Sequence, residues 1–186
     1  MYKKALAISG PSGAGKSSII KEFISRNKDE FAMPWSATTR PPRHNNEEYI
    51  FLSTQEFKNK IESNEFFEYN EVYNGIYYGT LKSEFEKIWA RNATPIFDID
   101  VDGALAIKEK LRDCLLLIFI EPGEVEDLYN RIRGERAEAE VKKRIERIEY
   151  ELSKKNKFDE VIINKDGLLE ESVKKLKEIT ESFLDK

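Results

Sequence analysis

The chain has 186 residues, 40% of them hydrophobic and 35% charged, with a formal net charge of −4. That suffices for one compact core under a heavily charged surface. It excludes a general attraction to nucleic acid or anionic membrane, so an anionic ligand would need a local group of cations. No apolar run approaches the ~18 residues of a membrane span, and the opening "MYKKALAISG" turns to glycine too early for a signal peptide. The one cysteine, Cys114 in "CLLLIFI", cannot form an internal disulfide. Core packing in a reducing, cytoplasmic compartment is expected for it.

In chain order, "KALAISG" reads as a buried strand and "GKSSIIKEFISRN" as a helix with Ile19, Ile20, Phe23 and Ile24 on one side. From "PWSATTRPPRHNNEEYIFLS" to "EYNEVYNGIYYGT" the chain is rich in β-branched and aromatic residues. It is broken there by Pro41-Pro42, Asn45-Asn46 and Asn74-Gly75, which predicts short antiparallel strands and turns. Between them "TQEFKNKIES" is a short helix with Thr54 placed to cap it and Phe57 and Ile61 at i, i+4. "LKSEFEKIWARN" reads as a helix, "ATPIFDID" as a strand, "VDGALAIKEKLRD" as a helix and "CLLLIFIEP" as a strand covered on both faces. The charge-alternating segment from Gly123 to Asn156 is compatible with two helices joined around Gly134. "DEVIINKD" and "LLEESVKKLKEITESFL" add a strand and an amphipathic helix. The expectation is an α/β fold: a parallel sheet flanked by helices, with a small mixed or antiparallel insertion.

Chemistry enters at Gly10-Pro11-Ser12-Gly13-Ala14-Gly15-Lys16-Ser17, followed by Ser18. The spacing G-x-x-x-x-G-K-S between a strand and a helix is that of a phosphate-binding loop. Its glycines let successive N–H groups face inward around an anion, and the next helix adds its positive end. Lys16 is placed to reach the outer phosphates, and the Ser17 hydroxyl to join the shell of Mg²⁺. The loop implies a nucleoside triphosphate and leaves the acceptor open.

Arg40 and Arg43 flank the stiff Pro41-Pro42 pair, and two guanidinium forks so held suit a phosphate dianion. "FDID" brings Asp98 and Asp100 to the end of an apolar strand, where open α/β sheets bind ligands. Arg131, Arg133, Arg136 and Arg144 recur in a charged helical segment whose other charges read as a solvated face.

The ordered stretches "GPSGAGKSS", "SATTRPPR", "NGIYYGT" and "DIDVDGA", with "RIRGER" and "VIIN", resemble guanylate kinase over most of the chain. The resemblance implies transfer of a phosphoryl group from MgATP to GMP. It implies a core of residues 1–35 and 81–186, a helical lid at about 124–147 and a GMP-binding subdomain at 36–80. Arg40, Arg43, Tyr49 and Tyr78 would hold the GMP phosphate. Ser36, Thr80 and Asp100 would lie at or beside the base, and Asp98 near metal and phosphates. Glu68 would read guanine: its two oxygens can accept from N1–H and the N2 amino group, whereas adenine offers an acceptor at N1. Glu71 lies near enough in sequence to remain an alternative. Arg131 and Arg144, with Arg136 as a third, would close over the phosphates. Asn164 would contact adenine, and Lys16, Arg40, Arg131 and Arg144 would act in transfer.

The acceptor oxygen is already ionised at pH 7, so no general base is implied, and His44 reads as a loop residue. Mg²⁺ is the implied cofactor and ATP and GMP the implied partners, with no nucleic acid or membrane, in a monomer or homodimer. Three departures stand out. The loop from Arg43 to Tyr49 is shorter than usual and lacks glycine, which puts the reach of Tyr49 in question. Asp102 stands where glutamine is usual, and the lid segment is short. The rival readings are another small-molecule kinase on the same scaffold and a non-catalytic protein-binding module.

Overall fold

The computed structural model describes residues 3–44, 47, 49–73, 75–126, 128, 129 and 138–185. They form two compact units, one of residues 1–28 and 96–186, the other of residues 29–95. Along the chain come β1 (Ala5–Ser9), α1 (Lys16–Arg26), β2 (Phe31–Ala32), β3 (Ser36–Thr38), β4 (Tyr49–Phe51), α2 (Thr54–Glu62), β5 (Phe66–Tyr73) and β6 (Ile76–Leu81). Then follow α3 (Lys82–Ala90), β7 (Thr94–Asp98), α4 (Val101–Leu111), β8 (Leu115–Pro122), α5 (Glu138–Ser153), β9 (Glu160–Asn164) and α6 (Leu169–Leu184).

In the larger unit the strands are parallel in the order β7-β1-β8-β9; β2 pairs in parallel with Thr94 and Pro95, the first residues of β7, which like β2 belong to the smaller unit. Every residue of β1 is buried, as are Leu115 to Ile120 of β8. This is the unbroken apolar pattern of strands covered on both faces. Helices supply the cover through residues at i, i+3 and i+4: Ile19, Ile20 and Phe23 of α1, Ala104, Ile107 and Leu111 of α4, and Val173, Leu176 and Ile179 of α6. Ile24, expected beside them, is half-buried. Cys114 is half-buried in a short 3₁₀ turn before β8, outside the core expected for it. The chain leaves β1 toward β7 on one side and returns through β8 on the other. The carboxyl end of β1, where the phosphate loop begins, is therefore the switch point at which such sheets bind ligands. Among the described residues no helix is long and apolar enough to cross a membrane.

The smaller unit carries a mixed sheet in the order β4-β3-β6-β5, with β3 and β4 parallel and the other pairs antiparallel. One face packs Ala37, Phe66 and Leu81 against Phe57 of α2, with Ile50, Leu52, Ile61 and Tyr77 around them. Phe57 and Phe66 stack with centroids 4.3 Å apart. The cap of α2 is Ser53, one residue earlier than expected. It accepts from the Glu56 amide while the Glu56 carboxylate accepts from the Ser53 amide, and Thr54 is the first helical residue. A capping box satisfies two orphan donors where a lone threonine would satisfy one. With one face of the sheet spent on the core, the other is left for polar side chains.

Candidate active site

Gly10, Gly13 and Gly15 have φ of +138°, +86° and +85°, a region that residues with a Cβ rarely adopt. At Gly10 a Cβ would come 2.2 Å from the carbonyl oxygen of Ile120 on β8, so the loop lies directly on the sheet. Pro11 and Ala14 are buried, whereas Ser12, Ser17 and Ser18 are exposed. No side chain caps the start of α1, so its first amides, with the positive end of the helix, are available to an anion. Lys16 Nζ donates to the carbonyls of Gly10 and Pro11 at 2.6 and 3.0 Å. Burial pushes the pKa of this ammonium down, while Asp98 and Glu151 act in the opposite sense.

The acids at the end of β7 and beyond it have separate tasks. Asp98 Oδ2 accepts from Ser17 Oγ at 2.9 Å, so two hard oxygen donors of the kind Mg²⁺ takes meet at the loop. Asp100 is the N-cap of α4 and accepts from the Gly103 amide at 2.8 Å. Asp102, on the first turn of α4, accepts from Tyr150 Oη at 2.6 Å and from Arg147 Nη1 at 3.4 Å. The residue that departs from the family pattern thus ties α4 to α5.

Arg147 also donates from Nε to Glu151 Oε1 at 2.9 Å. Glu151 is only 7% exposed, on the α5 face that buries Ile148. Burial raises its pKa, which Arg147 and Lys16 counteract. Among the described residues, Ser9 Oγ and Glu151 Oε2 are the buried side-chain polar atoms without a partner. Arg144 lies on the exposed face of α5, whereas Arg131, Arg133, Arg136 and Gly134 lie outside the described residues. Asn164, at the end of β9, meets the loop itself: its Nδ2 donates to the Ala14 carbonyl at 2.9 Å.

The smaller unit holds a second constellation. Thr80 on β6 is in register with Ser36 of β3 on one side and Glu68 of β5 on the other. Cross-strand partners share a face, and Thr80 Oγ1 donates to Glu68 Oε1 at 2.7 Å. Glu71, three residues on, is on the opposite face, in register with Tyr77. The Gly75 amide, and after it the Tyr77 hydroxyl, hold its carboxyl below the usual range. Tyr78 continues the Thr80 face toward Arg40, whose Nε donates to Tyr78 Oη at 3.1 Å. The Tyr49 ring stands 6.1 Å from that of Tyr78, and the Arg40 guanidinium lies 5.5 Å from the Tyr49 centroid, within cation–π range. The short loop therefore does deliver Tyr49 to Arg40. Arg43 and His44 are exposed.

Glu47 closes this corner. Arg40 is 8% exposed, and its Nη2 donates to Glu47 Oε2. Glu47 Oε1 accepts from the Arg43 amide and from the His44 amide, the latter at 2.9 Å. The Arg40 guanidinium above all, then those amides, pull the Glu47 carboxyl down from its ordinary 4.5 to about 2. A depressed folded-state value means stabilisation that is present above pH 4.5 and lost as pH falls toward 2. Urea midpoints should therefore fall through this window more steeply for the wild type than for Glu47→Gln. Equal slopes would contradict the pairing.

Glu47, Glu151 and Ser172, which donates to Asn164, are absent from the residues singled out by motif. Only Glu151 carries a signal in the sequence: an acid at a position where the amphipathic period of α5 calls for an apolar residue.

The guanylate kinase family profile matches residues 2–183. The guanylate kinase of Porphyromonas gingivalis is 43% identical over 168 residues, covering 88% of this chain and 89% of that protein. That of Bacteroides thetaiotaomicron is 40% identical over an alignment of 191 positions, covering 100% of this chain and 92% of the other. The crystal structure of guanylate kinase from Anaplasma phagocytophilum superposes with a TM-score of 0.75 at 24% identity, over 99% of this chain and 87% of that one, and so shares the fold. With an intact phosphate loop, the expected parallel sheet and relatives aligned along nearly its whole length, the chain belongs to the guanylate kinase family.

Proposed function

We propose that the protein transfers the γ-phosphoryl group of ATP to GMP, and to dGMP, giving ADP and GDP or dGDP. The observation that carries this reading is the polar sheet face. Glu68, Thr80, Ser36 and Tyr49 stand in one cross-strand row, and Tyr78, whose hydroxyl accepts from Arg40, lies one strand step further on, about 7 Å away. A carboxylate for the guanine edge and a guanidinium for a phosphate, separated along one face, fit the two ends of a nucleoside monophosphate.

In this reading the residue 36–80 subdomain binds GMP. Ser36, Glu68, Thr80 and Asp100 address the base, while Arg40, Arg43, Tyr49 and Tyr78 address the phosphate. Gly10 to Ser18 cradle the triphosphate, and Lys16 follows the transferring group. Mg²⁺ would be held by Ser17 and Asp98 together with phosphates and waters, and when bound it neutralises phosphate charge. An oxygen of the GMP phosphate attacks the γ-phosphorus as the bond to the β,γ-bridging oxygen breaks, and ADP leaves. The attacking oxygen is already ionised, so alignment and charge neutralisation replace a general base. Arg131, Arg136 and Arg144, in a lid spanning about 124–147, close over the phosphates and exclude water. The protein works in the cytoplasm on small-molecule partners.

Phosphorus NMR of a mixture of MgATP, GMP and enzyme provides the test. Resonances of ADP and GDP should grow in equal amounts, and chelation of Mg²⁺ with EDTA should stop both. Growth of ADP and inorganic phosphate without GDP would overturn the reading.

A further inference from the structure

We infer that Asn164 is a positioning residue for the phosphate loop, held in place by Ser172, rather than a contact to the nucleotide base. This rests on reading Gly10 to Ser17 as the triphosphate loop, but it is independent of the acceptor. The amide is engaged at both ends. Its Nδ2 donates to the Ala14 carbonyl at 2.9 Å, and its Oδ1 accepts from Ser172 Oγ at 2.8 Å. Ser172 is 2% exposed on α6 and Ala14 is 3% exposed within the loop. Turning the amide toward a base would strand a buried hydroxyl and a buried carbonyl, each of which would then lack a partner.

The backbone around Asn164 is fixed as well. The Asn164 carbonyl accepts from the Gly123 amide at 2.8 Å, and the residue pairs with Pro122 across β8 and β9. Loop and amide also fit each other sterically. A Cβ at Gly15 would lie 2.3 Å from Asn164 Nδ2, so glycine at this position admits the amide against the loop. Ala14 in turn donates its amide to the Pro11 carbonyl at 3.1 Å. A continuous path of hydrogen bonds therefore runs from α6 through Ser172, Asn164 and Ala14 to Pro11, whose carbonyl also receives Lys16. The consequence is that Asn164 presets the amides and lysine that meet phosphate, whatever base the nucleotide carries.

The test compares two probes by calorimetry, MgATP and magnesium tripolyphosphate, which has no base. Asn164→Ala should weaken both by the same factor, about tenfold, with GMP affinity unchanged. Asn164→Asp, which turns an acceptor toward the Ala14 carbonyl, should do the same. Ser172→Ala should weaken both probes equally but less, about threefold, and serves as the deciding variant if the Asn164 changes fail to fold. Loss of MgATP affinity with tripolyphosphate binding retained would overturn the inference, because the amide would then be reading the base. Unchanged affinity for both probes would overturn it too. If the wild type bound neither probe, the phosphate-loop reading would fall and this inference with it, a result distinct from either failure above.

Discussion

Glu68→Gln should lower kcat/KM for GMP by about a hundredfold or more while leaving KM for ATP within a few-fold. Glutamine keeps the size of the side chain but offers one oxygen and one NH₂ group to a base edge that presents two donors. One hydrogen bond to a charged acceptor is lost and a donor is set against a donor, together roughly 3 kcal/mol. Thr80 sharpens the effect because its hydroxyl already donates to Glu68 Oε1 at 2.7 Å, which favours an amide that keeps its oxygen there and turns NH₂ toward the ligand. Glu68 lies on the sheet face away from the Phe57 cluster, so the melting temperature should hardly move. Steady-state kinetics with GMP varied at saturating MgATP, alongside thermal melts, checks both parts. A Glu68→Gln enzyme with unchanged GMP kinetics would remove Glu68 from the site. Glu71→Gln is the matched control. Its carboxylate is engaged with Gly75 and Tyr77 on the opposite face, and GMP kinetics should be preserved.

The second large effect is expected at Lys16. Lys16→Met should reduce kcat by about a thousandfold or more, roughly 4 kcal/mol of transition-state stabilisation, with GMP affinity within a few-fold of wild type. Methionine retains much of the aliphatic stem, so packing beneath the loop is largely kept. What is lost is a cation that rests on the Gly10 and Pro11 carbonyls at 2.6 and 3.0 Å and is free to follow a negative group entering the loop. Single-turnover measurement of phosphoryl transfer separates this from a defect in ATP binding. A near-normal transfer rate would show that Lys16 takes no part in the reaction.

The larger unit was legible because its strands are unbroken apolar runs and its loop is a motif with fixed spacing in a strand-to-helix context. Local chemistry misplaced one boundary: Ser53 outcompetes Thr54 as cap because only its spacing to Glu56 completes a reciprocal pair. The polar face was harder to read. Strict alternation would put Phe66 and Glu68 on the same face, but a register shift between them sends Phe66 into the core and Glu68 to the other side. No sequence pattern announces that bulge, and it is what puts Glu68 rather than Glu71 on the polar face. Glu47 and Ser172 were invisible for a different reason. Glu47 is defined by where a short loop folds back on Arg40, and Ser172 by a contact between α6 and the end of β9. Polar residues of this kind look like any other surface residue until tertiary structure buries them.

Phosphorylation of a guanine nucleotide recognised by a carboxylate can be checked by initial rates of ADP release from MgATP with GMP, AMP and UMP as alternative acceptors. The kcat/KM for GMP should be at least about a thousandfold above the other two, since a site built to pair with two donors rejects a base that lacks them. Comparable values for GMP and AMP would contradict it.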